Sequence, residues 1–336
     1  MKRFVILLSS LLFGVSLSVF ADVSTLIDFS KLVADTPDGQ NAATLIDFSD
    51  KAGASFTPAE KAQMKTSLAL QNWNVRLNSS ARTITNETLS YTKPAQVSPN
   101  AREFAGQTVL GIRVHFPNDP YNAYAEVLPP FDIPAYAQKT TLQPDGTLKL
   151  DPADAATLSK FNGYGVVKNV GTLKSLTVWV YGSNDPNGFG VVLQNQEHQD
   201  QTVFLKGLDF DGWQALTWDN PNYITDVRNR AIVRMPLYPQ STPYIKLVGL
   251  ILYKDGQQPG GDIITYVHDI SIVYDKAVLN PIRDINDEAV WGILQRREQA
   301  RQNAEAQRLG NLQVLRYLEQ QKMATEPAGT QPPAGK

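Results

Sequence analysis

The chain has 336 residues, of which 42% are hydrophobic, and its formal net charge is −2 from 31 basic and 33 acidic side chains. This near balance of charge gives no reason to expect a nucleic-acid partner. The sequence contains no cysteine, which excludes disulfides, thiol catalysis and thiolate metal sites. Burial and strand pairing alone must therefore stabilise the fold, and that requires a sizeable core.

The first residues have the features of a secretory signal peptide. Lys2 and Arg3 precede an almost uninterrupted apolar run from Phe4 to Phe20, and Ala21 supplies a small residue for signal peptidase. A transmembrane anchor is the alternative, but the run is shorter than the ~20 residues of a spanning helix and no basic stop-transfer cluster follows. We predict a signal peptide over residues 1–21 and a mature chain without a membrane span.

The beginning of the mature chain contains a short repeat. The segment Thr25–Ser30 recurs word for word as Thr44–Ser49. The simplest explanation of this repeat is a local duplication. The alternative is that the two copies form strands that compete for the same sheet edge. Further on, Thr57-Pro58-Ala59-Glu60 has the order of a capping box with proline at the first helical position. We predict a short helix that begins there and ends near Leu70.

The middle of the chain predicts strands, because apolar residues alternate and β-branched or aromatic types dominate. Four segments show the pattern clearly: Trp73 to Leu77, Leu110 to Phe116, Leu176 to Val180, and Val191 to Leu193. Turn signals such as Asn184-Asp185-Pro186-Asn187-Gly188 separate six or seven strands between about Gly163 and Asp275. We predict a mainly β protein, with an antiparallel sandwich and an N-terminal extension over residues 22–280. Its strand order resembles galactose-binding-like jelly rolls, the fold of many carbohydrate-binding modules.

The chain changes character after Pro281. Residues 281–325 predict a long helix, with acidic residues in its first turn and Lys322 near its end. Gly310 could divide this helix into two segments. Apolar patches near both ends predict docking on the chain's own sandwich or on a neighbouring subunit, with a solvated middle. Residues 326–336 are rich in Pro, Gly, Thr and Ala, and we predict that they are disordered.

The histidines give no sign of catalysis or metal binding. His115, His198 and His268 lie in different strands or loops, and none has a second histidine at ligand spacing. The chain also lacks a P-loop, a nucleophile elbow, a dinucleotide fingerprint and the kinase motifs. We therefore predict structural roles for the histidines and a protein that is not an enzyme and has no cofactor.

Two pairs of oxygen-bearing side chains suggest weaker alternatives. Asp209 and Asp211 could serve a glycosidase, although the adjacent Gly212 makes a turn the commoner explanation. Asp185 and Asn187 offer oxygen ligands for calcium, as some related sandwiches use, but two residues are far short of a ligand set. We predict no catalytic residues and no metal site.

Three tryptophans are candidates for exposed binding aromatics. Trp179, Trp213 and Trp218 could stack on a sugar ring, which this fold would favour. The alternation around Trp179 and Trp218 instead indicates rings in or at the rim of the core.

Six sequence blocks occur in order over most of the mature chain: Asn72 to Arg82, Val109 to Pro117, Val178 to Gly182, Asn220 to Pro239, Gly260 to Val267, and Asp287 to Trp291. These blocks resemble signature blocks of the FlaA family, the outer-layer (sheath) proteins of spirochaete periplasmic flagellar filaments.

The resemblance implies a protein that is secreted to the periplasm and coats a filament core of flagellin-like FlaB subunits. There it would contribute to filament shape, stiffness and motility as a structural component. The candidate contacts with the core or with neighbouring copies are Arg228, Arg230, Arg234 and Tyr238. For the arginines, pairing within the chain to Asp219 or Asp226 is an equal alternative. A periplasmic carbohydrate-binding protein of jelly-roll fold and a divergent glycoside hydrolase are the alternative functions.

Overall fold

The computed structural model describes residues 21–33, 41–42, 44–47, 49, 52–135, 140–142, 148–150, 163–225, 243–277, 285 and 287–325. The strands in chain order are β1 (Asp22–Asp28), β2 (Ile46–Asp47), β3 (Lys65–Thr66), β4 (Asn74–Leu77), β5 (Tyr91–Gln96), β6 (Thr108–Phe116), β7 (Ala123–Leu128), β8 (Thr140–Leu142), β9 (Leu148–Leu150), β10 (Val166–Lys168), β11 (Val170–Ser183), β12 (Gly188–Asn195), β13 (Asp200–Gly207), β14 (Asp211–Asp219), β15 (Tyr244–Lys254) and β16 (Gly261–Lys276). The helices are α1 (Pro58–Ala62), α2 (Ile84–Leu89), α3 (Asp287–Trp291) and α4 (Ile293–Thr325), and 3₁₀ turns lie at Phe29–Lys31 and Leu70–Asn72.

Two antiparallel sheets form a β-sandwich, as the alternating pattern predicted. The first sheet has the order β14-β11-β16-β6-β5, and β1 also pairs with β16. The second has the order β13-β12-β15-β7-β4, and β10 also pairs with β15. On the edge of β16 opposite β11, β6 pairs with residues 261–267 and β1 with residues 269–274. Two strands therefore share one edge of the longest strand, which joins the N-terminal segment to the sandwich.

The core lies between the two sheets. It is built from inward-facing β-branched residues and leucines that alternate with outward-facing polar or aromatic residues, as in Leu176, Val178 and Val180 of β11, all fully buried. The segment Asn184–Asn187 between β11 and β12 crosses from the first sheet to the second. Because successive side chains of a strand point to opposite faces, the outer face of the first sheet carries side chains that the core does not use.

The two copies of the repeated segment share one local hydrogen bond and have different partner strands. Ser30 N donates to Asp28 Oδ1 at 3.0 Å in the first copy, and Ser49 N donates to Asp47 Oδ1 at 2.9 Å in the second. The first copy pairs with β16, whereas the second pairs with β3. The idea that the two copies compete for one edge is therefore wrong, because each has its own partner strand.

The predicted capping box is present. Thr57 accepts from Glu60 N, and the Glu60 carboxylate accepts from Thr57 N at 2.7 Å. The helix α1 nevertheless ends at Ala62, well before the predicted end near Leu70. The chain leaves the helix early because Lys65–Thr66 pairs with Ile46–Asp47.

The C-terminal segment forms α3 and α4, which are separated at Gly292 with φ +57°. Gly310, the residue predicted to divide the helix, is instead buried within α4. The middle of α4 is mostly exposed, as predicted. Two contacts join it to the rest of the chain: Arg301 Nη2 donates to the Tyr244 hydroxyl at 2.7 Å, and Arg308 forms an ion pair with Asp132. Within the described residues, no helix combines the length and the apolar character that crossing a membrane requires.

Lys254 is a buried cation that holds the connection between β6 and β7. Its side chain is almost fully buried, and Nζ donates to the backbone oxygens of Asp119 at 2.9 Å and Tyr121 at 3.3 Å. We expect Lys254→Met to lower the free energy of unfolding by about 2 kcal/mol, since both carbonyls lose a charged donor. Urea denaturation measures the loss. The exposed Lys206→Met is the matched control, and an equal effect of the two substitutions would contradict the prediction.

Candidate binding groove on the outer face of the first sheet

An aromatic cluster covers part of the outer face of the first sheet. Its members come from β11, β14, β16 and the loop between β5 and β6: Phe104, Trp179, Tyr181, Trp213, Tyr266 and His268. Strand pairing places Tyr181 opposite both Trp213 and Tyr266. Ring contacts therefore run across three neighbouring strands of the sheet.

The loop of residues 97–107 folds over this face and is anchored by Phe104. The Phe104 ring stacks on His268 with centroids 3.7 Å apart, and it meets Trp179 and Trp213 edge to face at 5.3 and 5.1 Å. Its backbone has φ +55°, a conformation that is unfavourable for a bulky side chain. The three ring contacts offset that cost, at about 0.5–1.5 kcal/mol for each aromatic pair. The loop is thus fixed in place rather than loosely attached.

His268 completes the anchor beneath the loop. Its Nδ1 lies 2.5 Å from Asp269 Oδ2, and its Nε2 lies 2.7 Å from Gln107 Oε1. Both ring nitrogens are therefore occupied by the protein's own side chains, as a structural histidine requires.

Beside the loop lies a groove with a volume of about 940 Å³. The loop forms one wall with Ser98, Arg102 and Glu103. The floor consists of Tyr181, Trp213, Ile264 and Tyr266, and the carboxylates of Asp185 and Asp262 lie on the lining as well. The size is that of a typical ligand pocket.

Asp262 is an oriented, charged acceptor on the groove lining. Arg113 Nη2 donates to its Oδ2 at 2.6 Å, and His115 Nδ1 lies 2.6 Å from its Oδ1. These hydrogen bonds, first that from Arg113 and then that from His115, lower the pKa of Asp262. The carboxylate consequently stays ionised at neutral pH.

We expect Arg113→Gln to raise the pKa of Asp262 toward the ordinary value of about 3.9. Because the folded-state pKa is depressed, the pair stabilises the fold above the unfolded-state pKa, and this contribution is lost as the pH falls through the folded-state pKa. A titration of side-chain carboxyl carbons by NMR measures the change. An Asp262 that titrates identically in both proteins would show that Arg113 does not hold its charge.

Asp185 is in a different situation from Asp262. Its side chain is partly buried, and desolvation raises its pKa. In the part of the chain that the structure describes, Asp185 has neither a hydrogen bond nor an ion pair. It follows Asn184, whose φ of +60° turns the chain at the end of β11. The groove therefore carries a carboxylate whose hydrogen-bonding capacity is unused.

The three candidate tryptophans lie in different surroundings. Trp213 lines the groove, Trp179 lies against Phe104, and Trp218 packs partly buried against the core. All three are intermediate in exposure. Arg228, Arg230, Arg234 and Tyr238 lie outside the described residues, so their role as contacts stays a prediction.

The remaining side chains considered from the sequence lie away from a catalytic or metal-binding arrangement. Asp209 is exposed in the turn before β14, and Asn187 is buried with Nδ2 donating to Tyr253 O at 3.2 Å. Across the described ranges, no group of three or more His, Asp or Glu side chains is placed to hold a metal ion.

A second aromatic group on the other sheet was not predicted from the sequence. Phe204 is 55% exposed and Tyr124 is 39% exposed, and both lie beside Tyr253, with centroid distances of 6.0 and 6.5 Å. Gly188 lies next to Phe204 and Tyr253, and a Cβ there would come within 2.7 Å of the Phe204 ring. The only sequence signal was the alternation within each strand, which does not reveal neighbours across strands.

The described strands thus form an antiparallel β-sandwich with a groove on the outer face of its first sheet. The family model for the flagellar filament outer layer protein FlaA matches residues 38–283. The chain belongs to this family.

Relatives with the same description match between 80% and 97% of the chain. The flagellar filament outer layer protein of Spirochaeta aurantia is 46% identical over 326 residues, covering 97% of this chain and 94% of the relative. That of Treponema pallidum (strain Nichols) is 44% identical over 336 residues, covering 97% and 95%. That of Borreliella burgdorferi (strain ATCC 35210 / DSM 4680 / CIP 102532 / B31) is 28% identical over 269 residues, covering 80% and 73%. The similarity thus extends beyond the sandwich core.

Among solved structures, carbohydrate-binding modules match about three fifths of this chain. TmCBM61 in complex with β-1,4-galactotriose has a TM-score of 0.27 and 9% identity, covering 61% of this chain and 88% of that module. The family 11 module of the cellulase Lic26A-Cel5E of Clostridium thermocellum has a TM-score of 0.25 and 10% identity, covering 62% and 89%.

Proposed function

We propose that this protein is a structural subunit of the outer layer of a periplasmic flagellar filament, exported by its N-terminal signal and assembled on a core of flagellin-like FlaB subunits. The observation that carries the proposal is the match to the two outer layer proteins at 44–46% identity over 97% of the chain. The role is mechanical, in filament shape, stiffness and motility.

The surface of the protein suits assembly. Leu312, Leu315 and Leu318 of α4 are between 38% and 56% exposed and recur every three residues, so they form an apolar stripe along the helix. Trp291 at the end of α3 is 60% exposed. Apolar side chains grouped on a surface are typical of association sites.

Neither Asp209 nor Asp211, the two carboxylates considered for a glycosidase, lines the groove. Asp262, which does, is committed to Arg113 and His115. We therefore propose a protein that is not an enzyme, as its family of filament proteins supports.

Co-sedimentation of the purified protein with core filaments tests the proposal. We expect the wild type to pellet with the filaments. Reversal of the charges at Arg228, Arg230 and Arg234 to glutamate should weaken that binding severalfold, and raising the salt concentration should weaken wild-type binding as well. Arg102→Glu is the matched control, since its side chain is 96% exposed. A wild-type protein that stays in the supernatant would contradict the coat role. Loss of filament binding in the control but not in the triple variant would contradict only the proposed arginine contact.

A further inference from the structure

The groove has an apolar floor that suits the face of a ring. Tyr181 and Trp213 meet edge to face at 5.5 Å, and Tyr181 and Tyr266 do so at 5.8 Å. Phe104 holds Trp213 from the side of the loop. These rings keep one another in place, so a ligand would meet a preformed surface and lose little free energy in ordering it.

Hydrogen-bonding groups surround this floor. Asp185 is partly buried and has no partner in the described part of the chain. Asp262 is held in one orientation by Arg113 and His115, and each of its oxygens retains a further lone pair. Ser98 and Ser183 add hydroxyl groups to the lining. The groove therefore offers two carboxylate acceptors next to aromatic rings.

The charges of the lining decide which ligands fit. Asp185, Asp262 and Glu103 are acidic, while the two nearby cations are either solvent-exposed, as Arg102 is, or committed to a carboxylate, as Arg113 is. An anionic ligand would face three carboxylates, and the lining cation Arg102 already lies 3.9 Å from Glu103. A basic protein segment would pair with Asp185, so Lys/Arg-rich peptides are the competing ligand in the test below.

We infer that the groove binds a short neutral saccharide. Its ring C–H face packs on Trp213 and Tyr266, and its hydroxyls donate to the carboxylates of Asp185 and Asp262. This inference goes beyond the coat role, which requires no ligand in the groove.

The test is the binding of the full mature protein to an array of short neutral oligosaccharides, printed beside uronate-containing and sulfated ones and beside Lys/Arg-rich peptides. We expect binding to neutral glycans only. Asp185→Asn should weaken the best of these by about tenfold, the effect of losing a charged acceptor. Trp213→Ala should weaken it further. Asp209→Asn, an exposed aspartate outside the groove, should leave it unchanged.

The Asp185→Asn variant separates an effect on binding from an effect on folding. The substitution removes a partly buried carboxylate that has no partner among the described residues, so the melting temperature should stay equal or rise. Trp213→Ala, in contrast, removes ring contacts and can unfold the protein. No glycan binding by the wild type, equal binding by wild type and Asp185→Asn, or preference for the basic peptides would each overturn the proposal.

Two further binding experiments identify the source of the saccharide. Purified core filaments and purified cell-wall sacculi are each tested before and after periodate oxidation, which destroys sugar rings. If periodate abolishes Asp185-dependent binding to one of the two materials, that material is the source of the saccharide. If neither material shows Asp185-dependent binding that periodate abolishes, a cellular role for the site is overturned. Asp185→Asn protein that still coats filaments leaves the proposed function intact, so the two ideas fail separately.

Discussion

Replacing Trp73 with alanine is expected to lower the free energy of unfolding by about 3–5 kcal/mol. The ring is 4% exposed and meets Phe29 edge to face at 5.3 Å. Its Nε1 donates to Leu68 O at 2.8 Å, a bond that alanine cannot make. The substitution thus creates a cavity and leaves a buried carbonyl without a donor.

The loss has a topological reason. Phe29 belongs to the 3₁₀ turn directly after β1, while Trp73 directly precedes β4 of the second sheet. The ring pair therefore joins the N-terminal segment to the opposite layer of the sandwich. Urea denaturation followed by far-UV circular dichroism measures the change. Trp73→Phe is the control and should cost less than half as much, because it keeps a ring against Phe29. A loss below about 1 kcal/mol for alanine would contradict a core role for Trp73.

Gly260→Ala should lower the free energy of unfolding by about 3 kcal/mol, because a side chain there overlaps backbone. A Cβ at this position would come within 2.2 Å of Pro117 O and 2.4 Å of Pro117 C. Neither atom belongs to a side chain that could rotate away. The connection between β6 and β7 would have to move as a whole, and Lys254 holds that same connection through Asp119 and Tyr121.

Gly163→Ala provides the matched control. Gly163 has φ +81°, and a Cβ there would have nothing within 4 Å. Its substitution carries only the backbone cost of a left-handed conformation, about 1 kcal/mol. Thermal and urea unfolding of both variants separate the two effects. Equal losses at the two positions would mean that the contact with Pro117 does not constrain the fold.

The strands were predictable because their signal is local. Alternation of apolar residues in Leu110 to Phe116 and Leu176 to Val180 identified two strands that face the core, now β6 and β11. The capping box at Thr57 was predictable for the same reason, since its partners are three residues apart. The early end of α1 was not, because it depends on pairing with residues 46–47, far back in the chain.

The groove was predictable only in part. Trp213 was a candidate from its residue type alone. The loop that forms one wall was missed, because its anchor Phe104 is stabilised by Trp179, Trp213 and His268, which are 75 or more positions away in the chain. Contacts across such separations, like the ion pair between Arg113 and Asp262, leave no periodic trace in a sequence.

The coat role is tested most directly by immuno-electron microscopy of purified periplasmic filaments, comparing the wild type with a strain that lacks this protein. Antibody to the protein should label wild-type filaments along their length, and filaments from the deletion strain should be unlabelled and thinner. Unlabelled wild-type filaments of the same diameter as those of the deletion strain, with the protein free in the periplasm, would contradict it.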